Sequence, residues 1–455
     1  MNLAQRGWLV PARRLQQVAL VLARHGFGEL VSRIGIGLAG LPKAAAAEAR
    51  AARADDRLPL RVARVLADLG PTYIKLGQLL ATREDIFTPP VTRALASLHS
   101  SVRPLPPRTA VRAVRQALGR PLDDVFAHFD PLPLAAASIA QVHRARLRAG
   151  TPVVVKVQRP GLARTIEADL AIMRLVARLL AEASPEIGAL DPAALVAAFE
   201  RSIHAELDFR NEAANAARLA ALLGDADEVC VPRIHAEWTR ATLLVMEEVQ
   251  GRRLSDLAPP ERGRIRVRLL RAFVRQILEH GVFHADPHPG NLLVREGRVV
   301  LLDLGAVETL ERPLRRELSR LVRALVLGRG PKLASAVLAL SPDGRAPGID
   351  RGQLERDVMA LVATSRQAGT GARVLTQMVA LGRRHRLRME PALLALVRAL
   401  ALLDGVLRGL EPARDLLVDL RREVARSVLR RLRRALTALA RWFRRRFSPG
   451  AAAGR

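Results

Sequence analysis

The stretch that decides the fold is His284-Ala285-Asp286-Pro287-His288-Pro289-Gly290-Asn291, which is followed by the apolar run 299–302 and then Asp303-Leu304-Gly305. Asp286 and Asn291 are five residues apart, the spacing of the catalytic Asp and the metal-binding Asn in phosphoryl-transfer loops. Such chemistry needs a carboxylate near the attacking oxygen and oxygen ligands for Mg²⁺. The stretch therefore predicts Asp286 as a catalytic base, with Asn291 and Asp303 as metal ligands.

Two other interpretations of this stretch remain open from the sequence. It can be a polar turn before a hairpin, in which the Asp and Asn side chains only cap the backbone. Alternatively, His284, Asp286 and His288 can be ligands of a transition metal, because alternation would place them on one side of an extended strand. The two prolines between them oppose a regular strand.

A second signal is Lys156, which lies inside the apolar run Val153-Val154-Val155-Lys156-Val157. A charged side chain in such a strand is costly unless it has a partner. The chain contains only four lysines, at positions 43, 75, 156 and 332, and otherwise uses arginine. A lysine kept here predicts a compact cation for nucleotide phosphates, and the alternative is a lysine that extends to water from an edge strand.

Two further charged segments lie upstream of the catalytic stretch. Lys75-Leu76-Gly77-Gln78 places another of the rare lysines on a predicted helix, and Glu206, Asp208 and Glu212 lie close together in a second one. The acids at 208 and 212 are predicted to lie one helical turn apart. Each segment taken alone is equally well explained as solvated helix charge.

The composition limits the kinds of partner. The 455 residues carry a net charge of +29, which predicts attraction to anionic lipid, nucleic acid or nucleotide. Aromatic residues make up 3% of the chain, and no nucleic-acid-binding motif is present in the sequence, so nucleic acid is not favoured as a partner. The single cysteine, Cys230, excludes an internal disulfide and favours a reducing compartment.

The apolar pattern predicts a strand-rich segment between helical ones. Residues 1 to about 120 have helical periodicity with breaks at prolines. The run 393–407, which contains Arg398 and Asp404, predicts a buried helix rather than a membrane span. Strands are predicted at 125–129, 138–146, 152–157, 231–234, 243–246, 292–294 and 299–302, and helices at 162–183, 191–224 and 260–281.

The C-terminal segment is basic and amphipathic. Between Arg421 and Phe447 it contains 11 arginines and one acid, Glu423, and apolar residues recur every three or four positions from Val428. Such a helix can lie in the headgroup region of an anionic bilayer. It can also pack on the rest of the protein with its arginines outward.

In combination, these motifs resemble the UbiB/ADCK family of atypical kinases, also called AarF-like kinases, from about residue 10 to about 410. The KxGQ motif of that family is matched at Lys75 to Gln78, and its ExD motif at Glu206 and Asp208. An alanine-rich loop stands where ordinary kinases have a glycine-rich one. It is matched at Ala135, Ala136, Ala137 and Ser138, within a segment that continues to His143.

The resemblance implies roles for these residues. Lys156 would pair with Glu212 and meet the phosphates, Glu247 and Val249 of the hinge segment 246–249 would meet the nucleotide, and Asp286 would be catalytic. Lys75, Gln78, Glu206 and Asp208 would cover the cleft where a peptide would enter. ATP and Mg²⁺ are the implied cofactors, and Leu304 replaces the usual Phe beside Asp303.

The resemblance implies an α+β, protein-kinase-like bilobal fold. The predicted domains are an N-terminal helical extension (1–120), a β-rich N-lobe with inserted helices (121–250), an α-helical C-lobe (251–420) and the basic tail (421–455). The predicted function is an ATPase or atypical kinase that supports isoprenoid lipid metabolism, with quinone biosynthesis implied by the resemblance alone. A nucleotide-binding pseudokinase scaffold is the alternative.

The predicted location is cytoplasmic, with peripheral attachment to the inner face of the membrane. The predicted partners are nucleotide, an anionic membrane surface and quinone precursors or quinone-biosynthesis proteins. Besides the tail, the N-terminal helices, with Trp8 and Phe27, are candidates for membrane attachment.

Overall fold

The structure is a computed structural model, and it divides the chain into two compact units. Unit 1 comprises Met1–Arg218 and Pro232–Val249, and unit 2 comprises Leu219–Val231 and Gln250–Arg455. The predicted domain boundaries at residues 120, 250 and 420 stay predictions. The residues that the structure describes are 12–28, 31, 58–81, 83, 87–98, 104–184, 188, 191–223, 228–326, 329–341, 350–368, 377, 380–382, 384–385, 387, 389–412, 414, 418–420, 422–427 and 437.

Unit 1 combines helices with one antiparallel sheet. Three of its first five helices begin at a proline, which suits the first turn because its missing N–H has no partner there in any case. The helices are α1 (Ala12–Arg24), α2 (Leu58–Leu69), α3 (Pro71–Ala81), α4 (Pro89–Ala96), α5 (Pro107–Leu118), α6 (Leu162–Ala183), α7 (Pro192–Leu207) and α8 (Phe209–Leu223), which belongs to unit 1 up to Arg218.

The sheet of unit 1 has four strands in the order β1–β2–β3–β5. β1 is longer than predicted and continues through Pro131 and Pro133. The prolines are tolerated because β1 is an edge strand whose pairing with β2 is irregular around them. The strands are β1 (Phe126–Ala136), β2 (Ala140–Leu147), β3 (Pro152–Gln158) and β5 (Leu243–Glu247).

The two faces of this sheet contact different helices. Val153, Val155 and Val157 of β3 pack with α5, whereas Val154 belongs to a core shared with α1 to α4, α6 and α7. The N-terminal helices therefore share a core with α6 and α7. Because side chains alternate along a strand, the face of Val154 is also the face of Lys156.

Unit 2 is mainly helical with two small sheets. β10 pairs with β7, and the other sheet has the order β4–β9–β8–β6. The strands are β4 (Val229–Cys230), β6 (Arg252–Arg253), β7 (Val282–His284), β8 (Leu292–Arg295), β9 (Arg298–Leu301) and β10 (Val307–Thr309). The helices are α9 (Pro259–Val274), α10 (Arg312–Val326), α11 (Gly330–Ala339), α12 (Arg351–Ala368) and α13 (Pro391–Leu410).

Three sequence predictions are wrong in detail. The helix predicted at 191–224 is two helices, because the chain is extended at Asp208. The helix predicted at 260–281 is α9 followed by a π-helix, Arg275–His280. The strand predicted at 231–234 is not formed: β4 ends at Cys230, and Ile234 makes only an isolated bridge, since Pro232 cannot donate to a ladder.

Other expectations are confirmed or lie beyond the description. The run 393–407 is buried within α13, as predicted. Among the helices of the described residues, none has the length and apolar character needed to cross a bilayer. The apolar stripe of the tail from Val428 onward lies outside the described residues, apart from Thr437, as does Trp8.

Candidate functional site

Unit 1 contains a buried ion pair on one face of its sheet. Lys156 Nζ lies 2.9 and 3.1 Å from the two carboxylate oxygens of Glu212. The side chains are 13% and 7% exposed, and the Lys156 ammonium also lies 5.4 Å from the ring centroid of Phe209. Lys156 lies on β3 and Glu212 on α8, and packing of these elements brings together two charges that are 56 residues apart in the sequence. The predicted pairing is therefore present, and the edge-strand reading of Lys156 fails because β3 is an inner strand.

Asp208 determines where the helix of Glu212 begins. Its Oδ1 accepts a hydrogen bond from the backbone N–H of Arg210, and the Arg210 guanidinium also donates to the carboxylate. The Arg210 hydrogen bonds lower the pKa of Asp208. The prediction that Asp208 and Glu212 lie on one continuous helix is wrong, since Asp208 is the N-cap of α8 and Glu212 lies in its first turn.

The KxGQ segment lies on α3 and contacts the end of α7. Lys75 Nζ forms an ion pair with Glu206, and Gln78 donates to the backbone carbonyl of Leu98. Gly77 is closely packed, because a Cβ there would meet the end of the Leu98 side chain, which would have to shift. The structure thus brings Lys75 and Glu206 together, while the Asp208 carboxylate is bound to Arg210 in the next turn of chain.

The alanine-rich segment forms a tight hairpin end rather than a long loop. Ala135 and Ala136 are the last residues of β1 and pair with β2, and Ala137 donates to the carbonyl of Ala140. Ala135 and Ala137 are exposed, whereas Ser138 is buried. Of the residues predicted to bind nucleotide, the exposed alanines are available at the surface of unit 1.

Two buried polar side chains of β2, just after the hairpin turn, bond to neighbouring backbone groups. Gln141 and His143 are fully buried on β2, 3.2 Å apart, and Gln141 accepts from the backbone N–H of Leu105. His143 Nδ1 lies 3.0 Å from the carbonyl of Asp130. Burial lowers the pKa of His143, so the neutral ring donates from Nδ1 to the carbonyl and accepts from Gln141 at Nε2.

The predicted hinge residues lie where the chain leaves unit 1. Glu247 ends β5 and accepts from the backbone N–H of Arg233, and Glu248 forms an ion pair with Arg144. Val249 is half-buried and is the last residue of unit 1. The side chain of Glu247 is therefore partly engaged by its own unit.

In unit 2, the ends of three strand segments converge at the catalytic stretch. Leu292 of β8 pairs with Leu301 of β9, so the residues before the first and after the second lie at the same end of the hairpin. Leu302 donates to the carbonyl of Asn291, and Ala285 donates to the carbonyl of Ala306 just before β10. The local pairing of short strands therefore collects Asp286, Asn291 and Asp303 in one region of unit 2.

The side chains of this region are set by the backbone. Asn291 Nδ2 donates to the carbonyl of Asp286 over 3.2 Å, which leaves the amide oxygen as the group that can ligate a metal. Asp303 Oδ1 accepts from the N–H of Gly305. Leu304 is buried at 2% exposure and fills the apolar position beside Asp303, as expected.

His284 lies beside the proposed catalytic aspartate. Its Nδ1 accepts from the N–H of Asp286, and its backbone N–H donates to Gln276 of the π-helix. Burial lowers the pKa of His284, although the charges of Asp303 and Asp286 oppose this shift. A neutral ring that accepts at Nδ1 carries its proton on Nε2, which is buried.

The donor set fits Mg²⁺ better than a transition metal. Mg²⁺ is commonly held by one or two carboxylates together with substrate phosphates, and Asp303 and Asn291 offer oxygen ligands of this kind. The histidine hypothesis finds no support among the described residues. Within the part of the chain that the structure describes, no group of three or more His, Cys, Asp or Glu could hold a metal ion.

The sequence interpretation missed several residues of this region. Arg398, treated only as an interruption of an apolar run, lies on α13 with Nη2 4.0 Å from Asp286 Oδ1. Gln276 was not singled out, and its position depends on the π-helix. A single cation in an otherwise apolar segment was the available signal for Arg398, whereas the sequence contains no comparable signal for Gln276.

Comparison with known proteins identifies the family of the chain. Residues 97–335, just over half of the chain, match the family described as the ABC1 atypical kinase-like domain. The chain belongs to this ABC1 family of atypical kinases. The resemblance inferred from the motifs is confirmed.

Relatives of this ABC1 protein carry the name "Probable protein kinase UbiB". The Vibrio vulnificus (strain CMCP6) relative is 34% identical over 374 residues, which cover 79% of this chain and 68% of the relative. The Pseudomonas putida (strain F1) relative is 32% identical over 409 residues, or 87% of this chain and 72% of the relative.

A solved structure also resembles this ABC1 protein. It is the erythromycin complex of a Mycobacterium tuberculosis protein, with a TM-score of 0.53 and 26% sequence identity over 72% of this chain and 82% of that one. Together with the family match, this confirms the α+β, kinase-like fold: a β-rich unit with inserted helices and a mainly helical unit.

Proposed function

We propose that this ABC1 protein binds ATP with Mg²⁺ and transfers or hydrolyses the terminal phosphate, as an atypical kinase of the UbiB type. The observation that carries the proposal is the convergence of Asp286, Asn291 and Asp303 at the strand ends of unit 2. Asp286, Asn291 and Asp303 each form a hydrogen bond with a backbone group or a neighbouring side chain of their own unit. Phosphoryl transfer requires groups that are preorganised in this way.

Each residue has a distinct role in the proposal. Asp286 accepts the proton of the attacking hydroxyl or water. Asn291 and Asp303 would hold Mg²⁺, which supplies charge neutralisation between the phosphates when bound. Lys156, held in place by Glu212, would contact the phosphates, and Ala135, Ala136, Ala137 and Ser138, with Glu247 and Val249, are the proposed contacts to the rest of the nucleotide.

The test is Mg²⁺-dependent ATP binding by the purified full-length protein, measured by isothermal titration calorimetry, together with ATP turnover. Asp303→Asn should weaken Mg²⁺-dependent binding by more than roughly 100-fold, the upper end of the effect for residues that only support a metal ligand. Asp256→Asn, at a carboxylate hydrogen-bonded by Ser255 elsewhere in unit 2, is the matched control.

The outcomes separate the candidate functions. Wild-type affinity in Asp303→Asn would refute the metal assignment. Tight binding by the wild type with no phosphate release, with or without a phenolic quinone precursor, would favour the pseudokinase scaffold instead. Binding, turnover and a large loss in Asp303→Asn support the enzyme.

We also propose that generic peptides are not substrates. The support is the ion pair of Lys75 with Glu206 and the close packing of Gly77, which fix the KxGQ segment in unit 1. In the family resemblance, Lys75, Gln78, Glu206 and Asp208 cover the cleft that a peptide would enter. A peptide library incubated with labelled ATP checks this, and efficient transfer to many peptides would overturn it.

A role at the inner face of the cytoplasmic membrane, in isoprenoid lipid or quinone biosynthesis, is the finer part of the proposal. Its support is the name of the UbiB relatives and the basic, amphipathic pattern of residues 421–447. Co-sedimentation with anionic and with neutral lipid vesicles tests the attachment. Salt should weaken the binding to anionic vesicles without abolishing it, because only the charge contribution is screened.

A further inference from the structure

The helix α13 carries a cation beside the proposed catalytic base. Between residues 392 and 407, Arg398 is the only cation and Asp404 the only acid in an apolar segment. The helix packs against β10 and α9, and Leu396 and Ala399 on either side of Arg398 are buried. The arginine itself is 46% exposed, so its charged end extends from a rigid, buried support.

The distance between the charges shows what this contact can do. Arg398 Nη2 lies 4.0 Å from Asp286 Oδ1, which is too long for a hydrogen bond. The side chain of Asp286 is 36% exposed, and pairs as exposed as this one contribute little to stability. Stability therefore does not explain the position of Arg398, and its guanidinium is not hydrogen-bonded to Asp286.

The chemistry of a base places a phosphate nearby. A general base lies about 2.6–3.2 Å from the attacking oxygen, which in turn lies about 3–3.5 Å from the reacting atom. The terminal phosphorus would thus be within roughly 7 Å of Asp286, which the Arg398 side chain can reach. A guanidinium binds phosphate oxygens through two parallel hydrogen bonds.

We propose that Arg398 binds the terminal phosphate of the nucleoside triphosphate and stabilises the charge that develops on it during transfer. This inference rests on the proposed function, since it assumes that Asp286 is the base. It goes further by assigning an arginine of α13, outside the sequence motifs of the site, to recognition of the γ-phosphate. The expected signature is discrimination between ATP and ADP, because ADP lacks that phosphate.

The experiment compares Mg²⁺-dependent ATP and ADP binding in full-length wild type, Arg398→Gln and Arg398→Lys. Arg398→Gln should weaken ATP binding by about tenfold or more, as expected for a hydrogen bond to a charged group, and leave ADP binding unchanged. Arg398→Lys keeps the charge without the fork and should lose less. Turnover should fall more than ATP affinity in Arg398→Gln.

Arg320→Gln is the matched control, because this substitution removes the same charge. Arg320 forms an exposed ion pair with Glu317 on α10. Equal weakening of ATP and ADP in Arg398→Gln, or no change in either, would overturn the inference while the proposed function stands. Should Arg398→Gln unfold, the ATP-to-ADP ratio of Arg398→Lys decides: an unchanged ratio overturns the inference, a lowered one supports it. A wild type without Mg²⁺-dependent ATP binding would overturn both.

Discussion

The charged groups of unit 1 and unit 2 are held in opposite ways. In unit 1, Lys156 and Glu212 are buried and bonded directly to each other. In unit 2, Asp286 and Asp303 are positioned by backbone groups, and Arg398 lies 4.0 Å from Asp286. In unit 1 the two opposite charges therefore neutralise each other, whereas in unit 2 the carboxylate groups are held in place by the backbone, and Arg398 is not within hydrogen-bond distance of Asp286.

This difference indicates different contributions to stability and to chemistry. A buried pair becomes costly when one partner is removed, because an uncompensated charge is left inside. Substitution of a partly exposed carboxylate changes the free energy of unfolding little, but it removes a group that takes part in the reaction. Loss of one partner of the unit 1 pair should therefore affect folding, and loss of a unit 2 carboxylate should affect mainly turnover.

The largest effect is expected at Asp286. Asp286→Asn removes the proposed base and should lower ATP turnover by ~100- to 10,000-fold, the usual contribution of general base catalysis. Its free energy of unfolding should change by less than about 1 kcal/mol, since the side chain is 36% exposed in a loose pair. Steady-state ATP hydrolysis and urea unfolding measure the two quantities, and a large stability loss with normal turnover would reverse the comparison.

The second effect concerns the pair of unit 1. Lys156→Met leaves Glu212 buried without its partner and should lower the free energy of unfolding by about 3–5 kcal/mol. The double variant Lys156→Met/Glu212→Leu removes both charges and should recover most of that loss. Urea denaturation followed by circular dichroism compares the single and the double variant.

Lys156→Arg is the matched variant that keeps the charge. It should retain most of the stability but lower turnover, because a guanidinium cannot replace the compact ammonium on the strand. Turnover equal to wild type in Lys156→Arg would make the pair a purely structural element of unit 1.

A smaller effect is expected where the basic tail begins. Glu423 and Ser427 are buried and contact Arg271 and Glu279, respectively, and Val424 is buried between them. Truncation after Leu420 removes all three and should cost about 1–3 kcal/mol, whereas truncation after Ser427 keeps them and should cost almost nothing. Thermal unfolding of both truncated proteins checks the difference.

The same two proteins sharpen the membrane proposal. Truncation after Ser427 should already abolish most co-sedimentation with anionic vesicles, while nucleotide binding stays intact. Undiminished vesicle binding by this protein would move the membrane site away from the tail and toward the N-terminal helices.

The smallest effect concerns pH. His284 is buried and its pKa is lowered mainly by burial, so below the pKa of about 6.5 of a free histidine the unfolded chain binds a proton that the folded chain does not. Stability should therefore fall as the pH is lowered below that value, by at most ~1.4 kcal/mol per pH unit for this group. Unfolding curves between pH 7 and pH 5 should have a shallower pH dependence in His284→Asn than in wild type.

His143 in unit 1 provides the parallel case, since burial also lowers its pKa. His143→Asn should likewise flatten the pH dependence, and His128→Asn, at an exposed histidine, is the control. A pH dependence of His284→Asn equal to that of wild type would show that this ring does not stay neutral in the folded protein.

Several features were predictable because they depend on local order along the chain. The apolar run 153–157 predicted the strand that contains Lys156, and the apolar runs at 292–294 and 299–302 predicted the two strands that lie between Asn291 and Asp303. The helices that begin at Pro71, Pro89 and Pro107 follow from the fixed φ of proline. The alanine-rich hairpin was only partly predicted, since strand pairing shortened the loop to residues 137–139.

Other features had no local signal. The break at Asp208 interrupts a pattern that reads as one helix, and the π-helix adds one residue to a turn without changing the apolar pattern. The glycine at 281 marks the end of that π-helix with a φ of +71°, but a glycine alone does not reveal the kind of helix before it.

By itself, the sequence determined the kinds of residue available and their local geometry: a carboxylate and an amide five positions apart, a lysine within a strand, and a basic amphipathic tail. Only the tertiary structure decided which distant residues meet. Lys156 meets Glu212 over 56 residues, Lys75 meets Glu206 over 131, and Arg398 approaches Asp286 from a later helix. The reason is physical: periodicity records the face on which a side chain lies, whereas the partner on that face depends on how helices and sheets pack.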